Sequence, residues 1–437
     1  MRVRPWFIGL LSRAVVEKSI AGYGLAKEAQ NFDREAYIRN LPPAVPASAT
    51  GRISRQDVAI PAADGQHVNT ARLYTPLASA APGPLVVYVH GGGWVLNTPL
   101  IQPYDALCSR LSGDLGCCVL SLDYRLAPEH PWPAAVEDVY AALVWLASDD
   151  ASSVAPEADR ERIVLIGESA GGNLAACASL QVRDRRPAGV TIAHQVLCSP
   201  CVPIRPLMPS RTDAALADAP ILPAWLMDWL EEAYAGAKGV ERLSQEPYAN
   251  PLAAEHLDGL PPLTGVVGDA EVLRDEGVAY FEAVAEAGGD AAWREYEGGF
   301  HAFVVFPFGD AGHAWNFVYD RLRATPGLFA AAGEASDETT AQPARPDAKA
   351  AARGEQAEPS VALLLSAQKL TRDVERKTFQ TLARSPLVAA AGSLVVFALL
   401  AASVVSLMTG ETFGSADYFE RSLVDGIDAS TSQRVLY

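Results

Sequence analysis

The chain has 437 residues, of which 49% are apolar and 20% charged, which is enough for one large α/β domain with a sizeable core and an appended segment. Its net charge of -17 argues against nucleic-acid binding, because contacts with phosphates need concentrated Lys and Arg. The six cysteines lack His partners at zinc-ligand spacing, so we interpret them as buried reduced thiols.

Residues 1–45 are predicted to be helical and amphipathic, and we interpret them as an N-terminal lid segment. Their apolar stripe must cover other surface, and it comprises Trp6, Phe7, Leu10, Leu11, Val15 and Ile20. The apolar run is too short for a secretory signal, whereas the early arginines leave an organellar presequence as an alternative.

Residues 46–328 show the alternation of strands and helices that is typical of a mostly parallel sheet covered by helices on both faces. The domain opens with a predicted β-hairpin around Asp64-Gly65, a dipeptide that suits a tight turn. Buried strands are predicted at Leu85–Val89, Cys117–Leu122, Ile163–Ile166, His194–Leu197, Leu263–Val267 and Ala292–Tyr296. Helices are predicted at Ala134–Ser148, Leu174–Val182 and Glu276–Ala287.

The stretch between the fourth and fifth of these buried strands is too long for a single crossover. Residues 203–247 hold three early prolines and then an aromatic helical pattern with Trp225, Met227 and Trp229. We interpret this insert, together with the N-terminal segment, as a helical lid over a site. An extra packing layer without influence on substrate choice is the alternative.

The C-terminal part of the chain is predicted to anchor the protein in a membrane. Residues 329–360 are poor in large apolar residues and are predicted to be a disordered linker, followed by an amphipathic juxtamembrane helix at 361–384. Residues 387–408 carry no charge over 22 positions, which matches one bilayer crossing, and residues 409–437 form a tail. Lys and Arg are concentrated before the span, so the large domain is expected to face the cytosol or an equivalent compartment.

The sequence Gly167-x-Ser169-x-Gly171 follows a short apolar strand and opens a predicted helix. Flanking glycines let the backbone turn sharply and expose one hydroxyl above the sheet, as in a nucleophile elbow. The pattern alone is weak evidence because it also occurs in ordinary glycine-rich turns.

A second glycine-rich sequence, His90-Gly-Gly-Gly, follows the strand Leu85–Val89 directly. Its glycines would let the backbone N–H groups of Gly92 and Gly93 turn toward one point and, with the N–H of Ala170, hold an oxyanion. The alternative is a plain glycine-rich turn.

A base and an acid are predicted further along the chain. Of the seven histidines, only His301 lies late in the chain, just beyond a strand, with glycines beside it. The carboxylate that orients its ring should follow the strand Leu263–Val267, where Asp269 and Glu271 are both candidates.

These motifs resemble the hormone-sensitive-lipase family of α/β-hydrolase esterases, which includes arylacetamide-deacetylase-like enzymes. The resemblance spans roughly residues 1–328 and is carried by His90–Trp94, Asp123–Glu129, His130–Ala135, Gly167–Asn173, Asn250–Leu252, Leu260–Pro262 and Leu273–Gly277. It implies a Ser169 nucleophile, a His301 base, oxyanion donors at Gly92, Gly93 and Ala170, and a lid built from the N-terminus and the insert.

The acid is where this sequence departs from the family. Members commonly read Asp-Pro-Leu-x-Asp-Glu, and aligning Leu273-Arg-Asp-Glu276 with that pattern puts Glu271 where the first Asp belongs. Glu271 is therefore our preferred triad acid, with Asp269 as the alternative.

The predicted function is a serine hydrolase that cleaves carboxylic esters with apolar or short acyl groups through an acyl-enzyme. The alternatives are a deacetylase or amidase of the same fold, a receptor without turnover, or a structural subunit of a membrane complex. No metal or organic cofactor is predicted. The expected partners are a small hydrophobic ester and, through residues 387–408, a membrane.

Overall fold

An eight-stranded sheet forms the centre of the computed structural model, which describes residues 32–40, 52–77, 83–152, 154, 158–202, 207–306 and 310–329. The strands are β1 (Ile53–Pro61), β2 (Val68–Pro76), β3 (Gly83–Val89), β4 (Val119–Leu122), β5 (Ala158–Glu168), β6 (Ile192–Cys198), β7 (Leu263–Ala270) and β8 (Ala291–Phe300). Their order is β1-β2-β4-β3-β5-β6-β7-β8. β2 pairs antiparallel with β1 and β4, and the other pairings in the described sheet are parallel, so the predicted hairpin and the predicted mostly parallel sheet are both confirmed.

Ten α-helices lie in the described part of the chain. They are α1 (Arg34–Asn40), α2 (Tyr104–Leu115), α3 (Ala134–Leu146), α4 (Asp149–Ser152), α5 (Ala170–Arg185), α6 (Pro209–Thr212), α7 (Ala224–Ala235), α8 (Val240–Leu243), α9 (Arg274–Glu286) and α10 (Ala311–Ala324). Three short 3₁₀ helices lie at Gly236–Lys238, Pro251–Ala253 and Phe303–Val305.

The sheet separates two apolar cores, as the continuous apolar runs of its strands require. In β3, Leu85, Val87 and Val89 face the core that contains α3, α5 and α9. Val86 and Tyr88 face the opposite core, which contains α2 and α10. Both faces of the parallel sheet are therefore covered by helices.

The described part of the insert, residues 207–247, lies against the loop that follows β3. Tyr234 of α7 stacks on the buried Trp94 of that loop, with ring centroids 4.3 Å apart and planes 4° apart. Trp229, also in α7, meets the ring of Phe32 edge-on at 5.7 Å. The insert thus packs on the glycine-rich loop and on Phe32, which precedes α1, and its influence on substrate choice stays a prediction.

Several predictions from the termini fall on residues that the structure does not describe. Of the N-terminal segment 1–45, only residues 32–40 are described, and they include α1. The linker beyond residue 329, the juxtamembrane helix 361–384, the span 387–408 and the tail 409–437 lie outside the described residues. Within the described ranges, none of the helices has the length and apolarity to cross a bilayer. All six cysteines are buried and free of disulfides, as predicted.

Replacing Gly171 with Ala is expected to destabilise the fold. A Cβ on Gly171 would collide with the carbonyl oxygens of Val89 and His90, which are backbone atoms that cannot move aside. We expect the free energy of unfolding in urea to fall by about 1–3 kcal/mol. Gly312→Ala in α10 is the matched control, because its Cβ would meet nothing within 4 Å. Equal unfolding midpoints for the two variants would contradict the predicted collision.

His194 is expected to make the fold sensitive to acid. Its ring is buried between the hydroxyls of Thr264 and Thr325, each 2.8 Å from a ring nitrogen. Burial lowers the pKa of His194 from its ordinary 6.5 to about 4. The unfolded chain therefore binds one more proton between these values, and the free energy of unfolding should fall by up to about 3 kcal/mol as the pH drops through this window.

Urea unfolding at pH values from 7 to 4 measures this effect. The variant His194→Gln should lose less stability on acidification than the wild type. His256→Gln is the control, because that side chain is 72% exposed. Identical pH dependence in both variants would show that His194 does not contribute.

Candidate active site

The turn between β5 and α5 holds Ser169 in a backbone conformation that non-glycine residues rarely adopt, with φ 56° and ψ -124°. Glycines on both sides allow this turn, because a Cβ on Gly167 would collide with the carbonyl of Gly171 and a Cβ on Gly171 with that of Val89. The N–H of Ser169 donates to the carbonyl of Cys198 at 2.9 Å. These contacts hold the strained turn against the ends of β3 and β6.

His301 joins Ser169 to Glu271 by two hydrogen bonds. Its Nε2 lies 2.8 Å from Ser169 Oγ, and its Nδ1 lies 2.8 Å from Glu271 Oε2. The other carboxylate oxygen of Glu271 accepts from the hydroxyl of Ser199 and the N–H of Gly268, both at 2.7 Å. All three connected side chains are buried. The structure therefore brings together the three residues that the sequence indicated.

Asp269, the alternative acid, lies elsewhere. Its Oδ1 accepts from the N–H of Gly298 at 2.6 Å, and the residue is partly exposed. The pairing of β7 with β8 is irregular between Gly268 and Ala270, where the register shifts. The irregularity thus falls at Asp269, two residues before Glu271, and of the two acids it is Glu271 that contacts His301.

Helix α6 of the insert holds the loop that follows Glu271. The Ser210 hydroxyl donates to the carbonyl of Val272 at 2.8 Å, and the Ser210 N–H donates to the carboxylate of Asp275 at 2.8 Å. Asp275 therefore has a structural role. The insert contacts the acid loop as well as the glycine-rich loop.

The glycine-rich loop after β3 packs directly on the turn that carries Ser169. Gly92 has φ 121° and Gly93 has φ 60°, conformations that favour glycine. A Cβ on Gly91 would collide with the carboxylate of Glu168, and one on Gly93 with Leu230 of α7. The loop therefore lies between the Ser169 turn and the insert. Ala170 follows the turn as the first residue of α5, where a backbone N–H has no partner within the helix.

Sequence reasoning missed two buried residues of this site. Ser199, which bonds Glu271, follows β6 with φ 43°, and its place after the strand next to the Ser169 turn was the available signal. Glu168 is 2% exposed and lies within the motif around Ser169, where an acidic residue among small and apolar ones was the signal. In the described ranges, no group of three or more His, Cys, Asp or Glu side chains is arranged to hold a metal ion.

The strand order and the serine on a strand-to-helix turn are those of an α/β-hydrolase. A family model described as alpha/beta hydrolase fold matches residues 86–305, which is half of the chain and includes every residue of the site. The chain belongs to this family, the one of the hormone-sensitive-lipase-like esterases, as its motifs indicated.

Several relatives with known names are ester hydrolases. The carboxylic ester hydrolase LipN of Mycobacterium tuberculosis is 35% identical over 308 residues, which is 69% of this chain and 78% of the relative. An arylesterase of Saccharolobus solfataricus is 35% identical over 238 residues, which is 54% of this chain and 73% of the relative. The structure is similar to a hyperthermophilic esterase from Pyrobaculum calidifontis, with a TM-score of 0.58, 32% identity, and coverage of 74% of this chain and 100% of that chain. A thermophilic carboxylesterase cloned from a metagenomic library gives a TM-score of 0.57 at 34% identity, covering 73% of this chain and 97% of that chain.

Replacing each candidate acid in turn by its amide is expected to show which of the two is the triad acid. Glu271→Gln removes the charge bonded to His301 Nδ1, so kcat on a short p-nitrophenyl ester should fall by roughly 10⁴-fold. Asp269→Asn keeps an oxygen that can accept from Gly298, so kcat should stay close to the wild-type value. Steady-state kinetics on both variants measures this, and a larger loss in Asp269→Asn would assign the acid to Asp269.

Proposed function

We propose that this protein hydrolyses carboxylic esters through an acyl-enzyme formed on Ser169. The contact that carries the proposal is the 2.8 Å hydrogen bond between Ser169 Oγ and His301 Nε2. With Glu271 accepting from Nδ1, the neutral ring keeps its lone pair on Nε2, where it can take the hydroxyl proton. This arrangement also argues against a receptor that has lost its base.

The proposed reaction proceeds in two similar halves. Ser169 Oγ attacks the ester carbonyl carbon while His301 takes its proton, and the carbonyl oxygen becomes an oxyanion. Backbone N–H groups of Gly92, Gly93 and Ala170 are the proposed donors to that oxygen. His301 then returns the proton to the leaving alcohol, and water attacks the acyl-enzyme by the same steps.

Glu271 is proposed to stabilise the imidazolium that forms in both halves. Its carboxylate is fully buried and held by Ser199 and Gly268, so it needs no reorganisation when the charge appears. Low solvent exposure also weakens dielectric screening between the two charges. The acid therefore acts by orientation and electrostatics and not by taking the proton itself.

The apolar side chains of the insert favour substrates with apolar acyl or alkyl groups. Leu230 lies against Gly93 of the glycine-rich loop, and Met227, Trp229 and Phe32 are buried nearby in the same apolar core. Carboxylic ester hydrolase and arylesterase are the activities named for the relatives. A small hydrophobic ester is accordingly the substrate class that we propose.

Ser169→Ala tests the proposed function. The wild type should hydrolyse p-nitrophenyl esters, with apolar acyl groups such as butyrate preferred over acetate. The variant should lose at least about 10⁴-fold in kcat, because it lacks the hydroxyl that His301 Nε2 contacts. Unfolding curves confirm that both proteins are folded. Equal turnover in the two proteins, or a folded wild type without turnover, would contradict the proposal.

We also propose that residues 387–408 anchor the protein in a bilayer, with the hydrolase domain on the cytosolic or an equivalent side. The support is the sequence: 22 uncharged residues would span about 33 Å as a helix, and basic residues precede them. Such an anchor would hold the hydrolase close to hydrophobic, lipid-derived esters.

Two C-terminal deletions test the anchor. Deleting residues 385–437 should release an active enzyme from carbonate-washed membranes. Deleting only residues 411–437, which keeps the proposed span, should leave the protein in the membrane pellet. Sedimentation of both proteins with the membranes would refute an anchor at residues 387–408.

A further inference from the structure

The His301 imidazole lies between two buried carboxylates, only one of which belongs to the triad described above. Glu271 bonds Nδ1, whereas Glu168 Oε1 lies 3.9 Å from Nε2, the nitrogen that also contacts Ser169. A distance of 3.9 Å is too long for a hydrogen bond. It is short enough for a strong interaction between charges, because both side chains are buried. Glu168 is only 2% exposed.

We propose that Glu168 is a positioning residue for the ester hydrolysis proposed above, stabilising the His301 imidazolium and tying the glycine-rich loop to the nucleophile turn. The inference rests on that function, since an imidazolium forms at His301 only if Ser169 gives up its proton. The positive charge appears in the transition state and is absent from the resting enzyme. An interaction with this charge therefore lowers the barrier without tightening substrate binding.

A chain of hydrogen bonds connects Glu168 with the glycine-rich loop. The Tyr104 hydroxyl donates to Glu168 Oε2 at 3.4 Å and accepts from the Asn97 side-chain amide at 3.1 Å. The same amide donates to the Gly91 carbonyl at 3.3 Å, and the Asn97 N–H donates to the Tyr37 hydroxyl at 2.7 Å. Glu168 is thus the inner end of a network that begins in α1 and holds the loop of the proposed oxyanion donors.

The groups around Glu168 determine how strongly the ionised form of its carboxyl group is favoured. Burial raises the pKa of Glu168, and the imidazoles of His301 and His90 oppose that shift. Glu271 lies on the far side of the His301 ring and repels a second negative charge. The remaining titratable groups around Glu168 are neutral when protonated and comprise Tyr88, Tyr104, Tyr124 and Cys198. The two imidazoles and the hydrogen bond from Tyr104 therefore favour the ionised form of Glu168.

The isosteric variant Glu168→Gln separates charge from packing. Glutamine has the same shape and keeps an oxygen that can accept from Tyr104, so the network and the fold should survive. Only the negative charge beside His301 is lost. A purely structural residue would leave the pH dependence of the enzyme unchanged after this replacement.

The test is the pH profile of kcat/KM for p-nitrophenyl butyrate. On the acidic side of this profile, the acid limb, activity rises with pH as His301 loses its proton. In Glu168→Gln the acid limb should move to lower pH by at least about one unit. At neutral pH, kcat should fall by about tenfold with KM nearly unchanged. Tyr104→Phe removes one hydrogen bond to Glu168 but keeps the carboxylate, so it should move the limb less than Glu168→Gln does. Asp269→Asn is the charge-matched control and should not move the limb.

An acid limb of Glu168→Gln that coincides with the wild type would overturn the role of Glu168. If that variant does not fold, Glu168→Asp, which keeps the charge but holds it further from the ring, should give a smaller shift in the same direction. An unshifted limb there would count equally against the inference. A folded wild type without hydrolysis, or with hydrolysis that survives Ser169→Ala, would instead overturn the proposed function itself.

Discussion

The site depends on a close approach of backbone around Ser169 that only glycine permits. Gly167 and Gly171 pack against each other and against the end of β3 with no space for a side chain. This contact maintains the positive φ of Ser169 and sets the glycine-rich loop beside it. Because β3 and β5 pair in parallel, with Val89 opposite Gly167, the two motifs emerge at the same edge of the sheet. Strain at one residue is thus sustained by the packing of its neighbours.

The other groups of the site lie at the same edge of the sheet. Glu271 follows β7 and His301 follows β8, so the carboxyl ends of parallel strands bring together residues that are far apart in the chain. The insert contacts both halves of this constellation. Helix α6 bonds the acid loop through Ser210, and α7 packs on the glycine-rich loop through Leu230. A displacement of the insert would therefore change the positions of both the acid loop and the loop of the proposed oxyanion donors.

Much of the fold was predictable because its causes are local. Apolar runs such as Leu85–Val89 indicate strands that are buried on both faces, and the glycines around Ser169 indicate a sharp turn. His301 could be chosen from its place after a strand. The choice between Asp269 and Glu271 could not be settled in this way, because it depends on a register irregularity between two paired strands. The place of Glu168 beside His301 is likewise a product of tertiary packing, which no spacing in the sequence encodes.

The most direct test of the account asks which atom forms the covalent bond. After treatment of the wild-type protein with paraoxon, peptide mass spectrometry should find one diethylphosphoryl group, on Ser169. The rate of its formation should collapse in His301→Ala, because the base that bonds Ser169 is then missing. A folded protein that stays unmodified, or a modification on another residue, would contradict the account.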